Sequence, residues 1–476
     1  MRLMACLKPC LRRASPSPPE AVRFYNASDR CKRAKERRQD MMELEIDSLD
    51  MQGRGVAHAP ACTHFVQGAL PGERVRVAHP AGGGQHQVWQ LQDILRASSQ
   101  RVAPPCPHVA TCGGCVLQHL DPGAQVAVKQ RYLEDSLQRI GRLRPGRILA
   151  PVHGTYWAYR YRARLSVYRV PGEGLRIGFK ERGSIYVADL RQCLILPGKV
   201  SALLEPLRCL LAGLSIAHRI PKIELAMGDA VCVLVLRHLL PLSDEDRDRL
   251  RAFGREHDVQ WWTQAHGPES AQPLDQVPVG QELAYSLPEY GVRFAYRPTD
   301  FTQVNPASNQ RLVSQALALL EPQEQDRVLD LFCGLGNFTL PLARRSASVV
   351  GIEGSPALLA RAHSAALEHG LQERVSFAER NLFEVDPDWW DTLGPVDKVL
   401  MDPPRDGARA IAQVLAGLPA ERRPQRIVYV SCDPRTLARD AAILVRRGGY
   451  VLRAAGVLNL FPHTGHVESM AVFEPV

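Results

Sequence analysis

From about Gln303 to the C-terminus, short apolar runs alternate with stretches of helical periodicity. The runs are Val328 to Phe332, Ser348 to Ile352, Val375 to Phe377, Lys398 to Met401, Ile427 to Val430 and Tyr450 to Val457. Each is too short for a buried helix and has the length of a buried strand. Strand followed by helix, repeated, predicts a doubly wound parallel sheet over residues 301–476. Beyond the last run, Asn459 to His466 reads as a turn and Glu468 to Phe473 as a strand returning antiparallel. An antiparallel strand starts at the edge where its parallel neighbours end, so Glu468 is expected to face the residues at that edge.

Upstream the pattern differs. Glu43 to Leu49, Arg74 to Ala78 and Gln87 to Leu95 alternate apolar and polar positions between glycines, which predicts a small OB-like β-barrel over residues 41–100. Pro122 to Leu143 carries Val126, Tyr132, Leu133, Leu137 and Ile140 at helical intervals and is expected to pack on the C-terminal domain. Residues 150–298 alternate strands and turns, giving a central α+β domain over 101–300. The fold class is therefore a multidomain α/β chain: a barrel, an α+β middle and a Rossmann-like C-terminal domain.

Candidate chemistry gathers at the C-terminal ends of the predicted parallel strands, where ligands bind in open sheets. Leu329-Asp-Leu-Phe-Cys-Gly-Leu-Gly-Asn-Phe-Thr339 is a strand, a glycine turn and a helix start. Gly334 and Gly336 admit a ligand close to the backbone, but the third glycine of the dinucleotide fingerprint is replaced by Phe338-Thr339. Glu353 closes the second run at the distance where an acid accepts hydrogen bonds from a ribose. A ribose-binding acid without a phosphate site fits S-adenosylmethionine and opposes a nicotinamide-dependent oxidoreductase. Asn381, Asp402 in Asp402-Pro-Pro-Arg405, and Cys432 fall at the next strand ends. Cys432 stands in Ser431-Cys-Asp-Pro434, where a turn follows the strand, a placement that suits a nucleophile. A nucleophilic thiol needs thiolate at neutral pH, so the site is expected to lower its pKa. Cys333, just before the glycine turn, reads as wall packing instead.

A second cysteine group lies at Cys106, Cys112 and Cys115, with Cys193 the best candidate for a fourth ligand. Spacing alone fits either a four-thiolate zinc site or an iron–sulfur cluster. Cys62, Cys209 and Cys232 have no partner pattern and are read as packing. Arg160, Arg162 and Arg164 alternate along one expected strand, so they would share a face, either solvated or holding RNA phosphates.

These strings, with Asp300-Phe-Thr-Gln-Val-Asn305 and His466-Val-Glu-Ser469, resemble the RNA uridine C5-methyltransferases from about residue 43 to the end. Gly53-Arg-Gly-Val-Ala57 and Leu70-Pro-Gly-Glu-Arg-Val75 make the barrel similar to a TRAM RNA-binding domain. A barrel together with four cysteines resembles the branch acting on 23S ribosomal RNA. The resemblance implies S-adenosylmethionine held by Gln303, Phe332, Asn337, Glu353, Asn381 and Asp402, with Cys432 as nucleophile and Glu468 as general base. It also implies a structural [4Fe-4S] cluster on Cys106, Cys112, Cys115 and Cys193. Alternatives are methylation of another ribosomal or transfer RNA uridine, or a non-catalytic RNA-binding protein on the same fold.

Composition refines this picture in two places. The net charge of +9 suggests a nucleic-acid partner, yet residues 1–40 account for +7 of it, with 11 Lys/Arg against 4 Asp/Glu. That segment reads as a disordered basic tail or a mis-assigned start before Met41-Met42, so it says little about function. Twelve cysteines in 476 residues are too few for a disulfide scaffold and point to a reducing cytoplasm. No apolar run reaches the roughly 20 residues that span a bilayer. The expectation is a cytoplasmic monomer that needs no membrane.

Overall fold

A computed structural model describes residues 41–59, 62–78 and 88–476. The basic segment 1–40 lies outside the described residues. The C-terminal sheet has eight strands. Seven are β1 (Arg327–Leu331), β2 (Ser348–Glu353), β3 (Val375–Glu379), β4 (Lys398–Met401), β5 (Arg426–Ser431), β6 (Tyr450–Leu458) and β7 (Glu468–Pro475), in the order β3-β2-β1-β4-β5-β7-β6. β1 to β5 run parallel, and β7 is antiparallel to both β5 and β6. The short strand Arg147–Ile148 closes the outer edge beside β6.

Period-two alternation sends neighbouring residues of one strand to opposite sides. Val428 and Val430 of β5 join the core on one face, with Leu312, Val313 and Ala316 of the helix Pro306–Leu320. Ile427 and Tyr429 join the other, with Leu437, Ala441 and Leu444 of the helix Pro434–Arg447. Burial on both faces explains why these strands read as continuous apolar runs.

The second core also takes in Val126, Leu133 and Leu137, so the segment from Pro122 packs on this sheet. Its α-helix stops at Ser136, however, and one π turn, Leu137–Gly141, leads to Arg142 at φ 55°. The helix thus ends before Leu143.

The middle of the chain forms a six-stranded sheet in which Cys232–Arg237 and Gln260–Gln264 are parallel and the other pairs antiparallel, with the helices Leu204–Ala212 and Asp244–His257. A hairpin, Ala284–Leu287 with Val292–Ala295, joins the same core as the C-terminal sheet. The described residues between 41 and 96 make a further six-stranded sheet with a small core of its own around Leu44, Val66, Val75 and Val77. It includes a hairpin, Arg54–Ala59 with Cys62–Gln67, that the alternation pattern did not reveal, because His58, Thr63 and His64 interrupt it.

The structure also differs from expectation at the arginine strand and at two cysteines. Arg160, Arg162 and Arg164 do not form a free cationic face. The strand begins only at Arg162, whose guanidinium turns inward onto the carbonyls of Pro298 (2.6 Å) and Asp300 and the Thr302 hydroxyl. Arg160 lies over the Phe179 ring, and Arg164 pairs with Glu224 at 3.1 Å. Cys62 and Cys209 are exposed, so they are not packing residues, whereas Cys232 is buried.

Candidate active site

A cavity of about 570 Å³ opens at the C-terminal edge of β1 to β5. Gln303, Phe332, Asn337, Glu353, Asn381, Asp402, Cys432 and Glu468 all line it.

The glycine turn after β1 supplies one wall. Phe332 takes φ 63°, a left-handed conformation uncommon for an aromatic residue, and Gly334 and Gly336 follow at 55° and 85°. A Cβ on Gly336 would stand 2.8 Å from Leu340 Cδ1, which would have to turn aside, and its positive φ itself favours glycine. The Phe332 ring leans toward Phe383, with centroids 5.7 Å apart. At the end of β2 Glu353 is fixed by two backbone donors: Gly334 N–H to Oε2 at 3.2 Å and Ser355 N–H to Oε1 at 3.0 Å. Asn337 is held on both sides. Its Oδ1 accepts from Tyr285 and from Asn309, and its Nδ2 donates back to Asn309 Oδ1 at 3.0 Å. No sequence signal pointed to Tyr285 or Asn309, since one comes from the hairpin and the other from the following helix. Asn381 Oδ1 accepts from Phe383 N–H at 3.1 Å, turning the chain after β3 so that Phe383 reaches the cavity.

The opposite wall carries the thiol. The β5–β7 ladder ends with Ser431 opposite Ser469, so the next residues outward, Cys432 and Glu468, oppose one another. The strand ends just before the cysteine, and Asp433 caps the helix that follows, accepting from Arg435 N–H at 2.9 Å.

The electrostatics run against expectation at Cys432. Burial pushes its thiol up to about 12, the carboxylates of Glu468 and Asp402 push in the same direction, and Arg405 and a backbone hydrogen bond oppose them. The thiol is therefore raised, not lowered, and the sequence could not show this because its neighbours arrive from β4 and β7. Burial likewise pushes Asp402 up to about 7, and burial with the nearby Asp402 raises Glu468 well above the usual carboxylate range. Arg405 donates to His466 Nδ1 at 3.2 Å, and both line the cavity. Cys333 is buried in the wall, its thiol raised by burial.

Beneath the glycine turn lies Asp330, fully buried. Its Oδ2 accepts from the Thr339 hydroxyl at 2.5 Å, its Oδ1 has no partner, and burial pushes it up to about 7.

Cys106, Cys112, Cys115 and Cys193 line one small pocket with Phe179 and Leu190. Burial raises the thiols of Cys115 and Cys193 to about 12 and about 11, and the cysteines add to each other's shifts. Arg182 donates to the Cys115 carbonyl at 2.9 Å and, with Arg160, places positive charge near Cys112. Among the described residues no three or more His, Cys, Asp or Glu side chains gather so as to hold a metal ion, so the four cysteines share a pocket without closing on a single ion.

Comparison with known proteins agrees with this geometry. A methyltransferase domain family matches residues 322–444, and the tRNA (Uracil-5-)-methyltransferase family matches residues 153–378. The 23S rRNA (uracil(1939)-C(5))-methyltransferase RlmD of Bordetella bronchiseptica is 59% identical over 432 residues, which cover 90% of this chain and 92% of that protein. The protein of the same name from Burkholderia thailandensis is 52% identical over 441 residues, 90% of this chain and 94% of its own. The crystal structure of Pyrococcus abyssi tRNA (uracil-54, C5)-methyltransferase in complex with S-adenosyl-L-homocysteine shares the fold, with a TM-score of 0.68 at 22% identity over 91% of this chain and 100% of that one. With identity above one half to the first two over nine-tenths of its length, the chain belongs to the 23S rRNA (uracil-C5)-methyltransferase family.

Proposed function

We propose that the protein transfers a methyl group from S-adenosylmethionine to C5 of a uridine in 23S ribosomal RNA, the uridine numbered 1939 in the names of its relatives, through a covalent bond between Cys432 and C6. The observation that carries this reading is the placement of Cys432 beside Glu468 on one wall of a cavity whose other wall is a glycine turn with a fixed acid.

Glu353, tied by two backbone N–H groups, presents its remaining lone pairs to ribose hydroxyls, and Phe332 and Phe383 offer apolar faces to an adenine. When bound, S-adenosylmethionine supplies an electrophilic methyl on a positively charged sulfur. Held in the cavity that Cys432 and Asp402 line, that positive charge would favour their ionised forms and offset the desolvation that holds the thiol protonated. The Cys432 thiolate adds to uracil C6, and the C5–C6 π electrons move toward the C4 oxygen, making C5 nucleophilic. C5 takes the methyl, and the former C–S bonding pair stays on the sulfur. Glu468 removes the C5 proton; those electrons restore the C5–C6 double bond and expel the Cys432 thiolate. A uridine within folded RNA must leave its stack to reach this cavity.

Cys106, Cys112, Cys115 and Cys193 would hold a [4Fe-4S] cluster; their shared pocket and the positive charge of Arg160 and Arg182 near Cys112 support that reading. Its role would be structural. The sheet at 41–96 is read as a TRAM RNA-binding module.

Mapping of 5-methyluridine in 23S ribosomal RNA from a strain lacking the gene tests the assignment. Loss of the mark at uridine 1939, restored by the wild-type gene and not by Cys432→Ala, is expected. Retention of the mark in the deletion strain overturns it.

A further inference from the structure

The loop between β6 and β7 is held almost entirely from outside the sheet it connects. Its successive carbonyls each meet a different donor: Leu460 the Asn305 amide at 3.1 Å, Phe461 the Lys129 ammonium at 2.8 Å, Pro462 the Tyr159 hydroxyl at 2.9 Å, and His463 the backbone N–H groups of Val116 and Leu117 at 2.8 and 3.0 Å. Gln125 accepts from His463 N–H at 2.8 Å. A few residues further on the chain reaches Glu468.

Lys129 differs from the other donors in carrying charge. It belongs to the helix Pro122–Ser136, is fully buried, and also donates to Asn459 Oδ1 at 2.9 Å, so both of its partners are neutral. A buried ammonium with only neutral partners is costly unless a nearby negative charge compensates. Burial lowers its pKa to about 7, and the charge that acts against this fall is that of Glu468.

We propose that Lys129 is a positioning residue for the proton-abstraction step, fixing the start of β7 by its grip on Asn459 and Phe461 and supplying a buried positive charge toward Glu468 from outside the cavity. The proposal rests on the reading of Glu468 as the base. The charged groups acting on Glu468 are Asp402, which opposes its ionisation, and Arg405 and Lys129, which favour it; Cys432 faces it as a thiol. His463 and His466 on the loop also lie within the field of Lys129, which disfavours their charged forms. Without the ammonium, Glu468 keeps its proton to higher pH and removes the C5 proton more slowly at a given pH.

The test follows single-turnover release of tritium from C5 of the target uridine in a 23S ribosomal RNA fragment, across pH, with the full-length holoenzyme. Wild type is compared with Lys129→Met, which removes charge and grip, and Lys129→Gln, which removes charge and keeps a donor. Both variants are expected to form the covalent complex, keep the KM for S-adenosylmethionine, and release tritium about tenfold more slowly near neutrality, with the pH midpoint raised by about one unit. Lys129→Gln carries the test if Lys129→Met fails to fold. An unmoved midpoint in a folded variant overturns the proposal. Release at the wild-type rate by Glu468→Gln, run in parallel, would bring down the reading of Glu468 itself, whatever the Lys129 variants do.

Discussion

At the level of single residues, the site stores protons. Cys432, Asp402 and Glu468 are each raised by burial; Asp402 also raises Glu468, and both carboxylates raise Cys432. A base must be ionised to act, and the folded pKa of Glu468 lies above the ordinary range. The methylation rate should therefore climb with pH beyond the range where a free glutamate is already ionised, then level off. A rate flat from pH 5 upward would contradict the shift. Asp330 gives the corresponding prediction for stability. Its pKa rises from 3.8 to about 7 on folding, so between those values the folded state holds a proton that the unfolded state has lost. Stability contributed by this residue is thus present at low pH and lost as pH rises through that window. Asp330→Asn should raise the melting temperature above pH 7 and flatten its dependence on pH below that; an unchanged profile would place the shift elsewhere.

At the level of elements, most of the sheet edge was legible in the sequence. Buried strands leave continuous apolar runs, and parallel topology puts their ends on one side. Those two patterns alone place most of the site residues at a common edge. What side chains do across elements was not legible. Arg162 read as part of a face either solvated or holding RNA phosphates, because strand periodicity reports a face, not what covers it. Here the segment 298–302 covers it and takes its hydrogen bonds. Arg162→Ala should therefore loosen Gln303 and weaken S-adenosylmethionine binding several-fold, while the salt dependence of RNA binding stays unchanged. A salt slope reduced by about one would instead mark a lost phosphate contact. The same blindness to neighbours hid the grip on Asn337 by Tyr285 and Asn309, which lie 52 and 28 residues away along the chain.

At the level of the whole molecule, distant parts of the chain meet at the loop that leads to Glu468. The cysteine segment bonds it through Val116 and Leu117, and Met51, in the turn after Ser48–Leu49 of the N-terminal sheet, approaches it from another side. A Cβ on Gly465 would fall 1.5 Å from the Met51 carbonyl oxygen, so only glycine permits that contact. Gly465→Ala should displace the N-terminal sheet and lower RNA affinity, with S-adenosylmethionine binding kept; equal loss of both would show a general collapse of the loop. Protein prepared without oxygen should be brown and hold about four iron and four sulfide per chain, and Cys193→Ala should lose them. A colourless protein with one zinc would contradict the cluster. The bond between Cys432 and uracil is the step on which the mechanism depends. Its most direct test is mass spectrometry of peptides after reaction with S-adenosylmethionine and 5-fluorouridine-substituted 23S ribosomal RNA, where fluorine at C5 blocks the final proton removal. The mechanism predicts a methylated 5-fluorouridine adduct on the peptide containing Cys432, absent from Cys432→Ala; an adduct on another residue, or one that survives in Cys432→Ala, would contradict it.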